Sequence, residues 1–138
     1  LSAAGEDDVL EDRDAGGNLP RMKLPELAPA VVAALTRFRT DLDARFGTRV
    51  REVVLFGSYA RGAASEGSDV DVYVVLDDAT HDDRKAVFDI AYDVDATAPG
   101  DDGWVGIEPV VHSTAHAADM RSRERGLLRN IDTEGLRL

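Results

Sequence analysis

In "MKLPELAPAVVAALTRFRTDLDARFG", Leu27, Val31, Ala34, Leu35, Phe38, Leu42 and Phe46 recur at three- and four-residue steps. That is the period of one helix face, so an amphipathic helix is expected from about Pro25 to Phe46, stopped by Gly47. The period then changes. "RVREVVLFG" is short, β-branched and closed by glycine, as a strand would be. "SYARGAASEGS" suits a small helical turn and loop, and "DVDVYVVLDD" returns as a second strand. Along it Asp69, Asp71, Tyr73 and Val75 alternate with Val70, Val72, Val74 and Leu76, so two aspartates share one face of an apolar strand.

Further on, "HDDRKAVFDIAYDVDAT" fits a helix through Ala86, Ile90 and Val94, and "APGDDG" is a loop by composition. "WVGIEPVVH" is a third strand, in which Pro109 argues for an edge or a bulge. "STAHAADMRSRERGLLRNIDTEGLRL" is expected to be one helix, capped by Ser113 or Thr114, with a short tail after Gly135. The expected fold class is α/β (α+β), a small mixed sheet with flanking helices. Residues 1–21 are acidic, glycine-rich and without period, which predicts a disordered leader upstream of a start at Met22; residues 22–138 then form one domain.

Composition narrows what such a domain can do. Acidic residues outnumber basic ones by 27 to 16, a formal net charge of −11, which disfavours direct nucleic-acid binding. The chain has no cysteine, so disulfides and thiolate metal sites are excluded. No apolar run approaches a membrane span and no signal pattern opens the chain, which predicts a cytoplasmic protein.

The paired aspartates need a reason, because an unpaired buried carboxylate costs several kcal/mol, on the order expected for any desolvated ion. Two residues apart on a strand, Asp69 and Asp71 have Cα atoms about 6.6 Å apart and point the same way. Both carboxylates can reach one small cation, and hard oxygen ligands suit Mg²⁺, which leaves other positions to water and phosphates. Upstream, Gly57 lets backbone approach a ligand, and Ser58 offers a hydroxyl where the chain turns into a short helix. Together these predict a nucleoside triphosphate site. Glu108, the acidic residue of the third strand, is a candidate third carboxylate for a second ion and for deprotonating an acceptor hydroxyl.

Gly57 and Ser58, ten residues, then Asp69-x-Asp71 form a signature that resembles the minimal nucleotidyltransferases of the DNA polymerase β superfamily, including the antitoxin partners (MNT) of HEPN-domain toxins. "ARG" at Ala60 to Gly62, Ser68 before Asp69 and the closing "LLRNIDTEGLRL" also resemble that group. The resemblance implies a polymerase-β-type fold over residues 22–138, Mg²⁺ dependence with up to two ions, and transfer of a nucleoside monophosphate from ATP or another NTP to a hydroxyl acceptor. In toxin-linked members the acceptor is a protein hydroxyl. The implied metal ligands are Asp69, Asp71 and Glu108, where many family members carry aspartate at the third position. Gly57, Ser58, Arg61 and Ser68 are the implied nucleotide-binding residues.

Two other roles are compatible with the same residues. One is an antitoxin-like subunit that neutralises a HEPN ribonuclease by covering it; an oligomer is compatible with any of these roles. The other is an aminoglycoside nucleotidyltransferase, which would need an acceptor pocket from another chain. Arg61 is expected either to contact phosphates or to brace Glu66 or Asp69. His112 and His116 pair only if the third strand and last helix bring them together. "RSRERGLLR" is expected to be a solvated helix face or a surface for an acidic partner.

Overall fold

The computed structural model describes residues 27–62, 69–97, 105–123 and 125–138. The expected leader, the first positions of the expected first helix (25 and 26), residues 63–68 with Glu66 and Ser68, and all of "APGDDGW" lie outside them.

Helix α1 spans Pro29–Phe46 and buries Val31, Ala34, Leu35, Phe38, Leu42 and Phe46, the face the spacing predicts. It starts later than expected because Pro29 disfavours helical backbone at the preceding residue, and Ala28 is extended. Leu27 lies outside the helix but still packs on its core. Gly47, at φ 59°, ends it. A 3₁₀ turn, Gly47–Arg49, leads into β1, Val50–Phe56. One helical turn follows, α2, Ser58–Arg61, and then β2, Val70–Leu76. Helix α3, His81–Ala96, begins with a reciprocal cap in which Thr80 and Asp83 bond each other's backbone N–H. Strand β3 is Ile107–Ser113.

The C-terminal stretch departs from the single helix expected. It forms α4, Thr114–Ser122, and α5, Gly126–Glu134, followed by a two-residue strand β4, Leu136–Arg137. Ser113 caps α4 by accepting from His116 N–H. The break lets Leu128 and Ile131 fold back onto the apolar cluster that Ala117 also joins, which one straight helix could not do. Across it Arg121 binds Asp132 (2.8 and 3.0 Å) and grips Glu52 on β1 through two bonds of 3.2 Å. The "RSRERGLLR" segment is thus in part a brace to the sheet.

The sheet order is β3-β2-β1-β4. Strand β1 is antiparallel to β2 and β4, while β2 and β3, joined through α3, are parallel. Pro109 accordingly sits on an edge strand, where a missing N–H is tolerated. Helices α1 and α3 cover one face through Val53, Leu55, Val70, Val72, Val74 and Leu76. Helices α4 and α5 cover the other through Val54, Tyr73 and Val75. Every residue of β2 is buried except Asp71.

Candidate functional site

Antiparallel pairing brings the end of β1 beside the start of β2, and parallel pairing brings the start of β3 to the same place. Asp71 stands opposite Phe56 on one side and Glu108 on the other. Partners across a ladder share a face, so Asp71 and Glu108 project to the α4–α5 side from strands about 4.8 Å apart. Glu108 and Asp69 are exposed and Asp71 is partly buried.

Gly57 packs against the Asp71 carboxylate. At φ 78° it turns the chain from β1 into α2 with a backbone that side chains rarely adopt. A β-carbon there would overlap Asp71 Oδ2 and lie 3.2 Å from its Cγ. The carboxylate therefore occupies the space that glycine leaves free. Tyr59 and Ala60 anchor α2 on the α1–α3 core, which fixes the turn.

The electrostatics follow from this placement. Burial pushes the Asp71 carboxyl above its ordinary 3.8, the Asp69 charge pushes it further, and Arg61 opposes both. Of the partners expected for Arg61, Glu66 lies outside the described residues; the guanidinium meets Glu134 at 3.5 Å, tying α2 to the last turn of α5. Ser58 opens α2 beside Gly57.

The donor set fits a hard divalent cation. Two coupled carboxylates, one held up by burial and by its neighbour's charge, are the groups a cation would relieve. Asp69 and Asp71 could hold it. Among the described residues no three acidic or histidine side chains converge as a closed metal site. Asp69, Asp71 and Glu108, the three ligands the sequence led us to expect, therefore do not come together as one such group.

Two features at the margins were not legible in the residues alone. Asp95, on α3, is 3% exposed and accepts hydrogen bonds from Gly106 N–H (3.2 Å) and Ile107 N–H (3.0 Å). It fixes the start of β3, and so the position of Glu108. His112 and His116 do meet, with rings edge-to-face at 4.5 Å, and His112 Nδ1 lies 3.0 Å from the Tyr73 hydroxyl. Burial, with the His116 and Arg84 charges, holds His112 below its ordinary 6.5. Among the described residues no helix is long and apolar enough to cross a membrane.

Known proteins resemble this chain in sequence. Protein adenylyltransferase MntA of Thermococcus cleftensis is 50% identical over 44 residues, 32% of this chain and 42% of that protein. A candidate protein adenylyltransferase of Methanocaldococcus jannaschii is 41% identical over 44 residues, 32% of this chain and 44% of its own. The chain thus matches less than half the length of either relative. A crystal structure of a candidate nucleotidyltransferase from Sulfolobus solfataricus aligns over 80% of this chain and 86% of its own, with a TM-score of 0.43 and 16% identity. Residues 35–104, just over half of the sequence and including Gly57, Ser58, Asp69 and Asp71, match the nucleotidyltransferase domain family, and the chain belongs to that family.

Proposed function

We propose that the protein transfers a nucleoside monophosphate, AMP from ATP, to a hydroxyl acceptor on a partner protein, and that the reaction depends on Mg²⁺. The observation that carries this reading is the seat of Asp71: a carboxylate pressed against Gly57, beside the like charge of Asp69, at the rim of the sheet. A structural role alone gives no reason to keep two like charges together there.

In this reading Asp69 and Asp71 hold the ion that accompanies the triphosphate. The ion supplies charge neutralisation on the phosphates. Gly57 and Ser58 line the phosphate side, and Arg61 supplies a guanidinium near the carboxylates; Ser68, outside the described residues, is assigned to nucleotide binding from the signature alone. The acceptor oxygen attacks the α-phosphorus, a new P–O bond forms, and the bond from the α-phosphorus to the bridging oxygen breaks. Pyrophosphate leaves, and the hydroxyl proton passes to a base. Glu108, exposed on the strand next to Asp71, is the group assigned to take it.

The similar proteins are named as protein adenylyltransferases, which favours a protein acceptor, and a HEPN-type toxin is the acceptor class we assign. A second reading, neutralisation by complex formation alone, draws on the absence of three converging carboxylates among the described residues. Co-expression with a HEPN toxin separates the two. Loss of both covalent AMP on the toxin and growth rescue in an Asp69→Asn, Asp71→Asn variant supports transfer; rescue kept without AMP supports binding.

A further inference from the structure

The contact between Arg61 and Glu134 is mounted at both ends on β1. Arg61 closes α2, the single turn that leaves β1 through Gly57. Glu134 closes α5, 73 positions further along the chain, and the next residue, Gly135, is buried against β1. A β-carbon at Gly135 would overlap Val54 Cγ1 and the Ile131 carbonyl oxygen, so only a glycine lets α5 end this close to the strand. Gly135 N–H donates to that carbonyl at 2.9 Å, and Leu136 and Arg137 then pair with Leu55 and Val54. The end of α5 is thus clamped to β1 just before the turn into α2, and the freedom that remains is in two long side chains.

Arg61 bears on the site from this position, since its charge acts on the Asp71 carboxyl. Glu134 meets the guanidinium at Nη1, 3.5 Å away, which leaves the rest of the planar fork for a second anion. We infer that Glu134 is a positioning residue that holds the Arg61 guanidinium at the rim of the site, where it meets the phosphates of the nucleotide. Glu134 itself touches no reacting atom. The inference rests on the metal–nucleotide site proposed above. An untethered arginine gives up much rotamer freedom on binding an anion, and a tether in place beforehand lowers that cost. Glu134 also repels a triphosphate, but both side chains are well exposed, so water and salt screen that repulsion while the tether acts in contact. A tether and a merely repelling charge differ in sign: losing the first weakens nucleotide binding, and losing the second strengthens it.

The test is a double-mutant cycle on Mg²⁺–ATP binding by the full chain, followed by titration calorimetry at fixed salt, with Glu134→Gln, Arg61→Gln and the two combined. Glu134→Gln should weaken binding by roughly two- to fivefold, the worth of an exposed ion pair. Arg61→Gln should weaken it at least as much. In the Arg61→Gln background the second change should cause no further loss, because only the repulsion is left to remove. A merely structural role for Glu134 would weaken binding equally in both backgrounds, and that result would overturn the inference. So would a Glu134→Gln variant that binds as the unaltered chain does, or more tightly. Either result leaves the nucleotide site standing, whereas an unaltered chain that binds no Mg²⁺–ATP sinks the site and this inference together.

Discussion

The Asp71 carboxylate fills the space that a side chain at Gly57 would occupy, so the glycine and the aspartate of the signature are one packing unit across β1 and β2. Gly57→Ala should therefore act twice. The backbone at φ 78° becomes strained, costing about 1–3 kcal/mol, and the new methyl displaces the carboxylate. Expected outcomes are a lower thermal midpoint and weaker metal-dependent nucleotide binding. An alanine variant that binds as the unaltered chain does would contradict the pairing.

Asp71 also carries a pH dependence whose sign is fixed by its raised pKa. Protons compete with the cation, so metal-dependent binding should strengthen as pH rises through and above the ordinary carboxylate range. Stability without metal runs the other way. The carboxyl is favoured protonated in the fold, so its contribution is full below the unfolded value and is lost as pH rises through the raised folded one. Asp71→Asn should leave the metal-free protein at least as stable at neutral pH while removing metal-dependent binding. Chemical unfolding and titration calorimetry on the same variant check both halves.

At the far side of the site, Asp95→Ala leaves the Ile107 N–H buried without its acceptor, at a cost of about 1–3 kcal/mol. The start of β3 should loosen and Glu108 with it. Amide exchange at Ile107 and Glu108 should accelerate in this variant, while β1 keeps its protection.

The α1 face and the aspartate pair were legible because each rests on a local period, three to four residues for α1 and two for β2; on α3 the buried face is Val87, Ala91 and Val94, where the spacing suggests Ala86, Ile90 and Val94. The C-terminal break was not, since "RSRERG" is helical by composition and turns only so that Leu128 and Ile131 can reach the sheet. Strand β4 is two residues long, too short to carry a pattern. Asp95 is one aspartate among several in an acidic helix, and only the fold shows that it is buried beneath β3. The contact between His112 and His116, and the tie from Arg61 to Glu134 across 73 positions, are likewise tertiary facts.

His112 should titrate below 6.5, as followed by its imidazole resonances in NMR. Its folded pKa is depressed, so its contribution to stability is present above 6.5 and lost as pH falls through the folded value. His116→Ala removes one cause of the depression and should move the midpoint upward. An unchanged midpoint would show that the ring contact carries no electrostatic coupling.

The central claim is that Asp69 and Asp71 form a working metal–nucleotide site. Isothermal titration of ATP into the full chain, with and without Mg²⁺ and beside an Asp69→Asn, Asp71→Asn variant, tests it most directly. The account predicts binding that requires Mg²⁺ and disappears in the variant. Binding that needs no metal, or that survives both substitutions, would contradict it, as would no binding by the unaltered chain from low to molar salt.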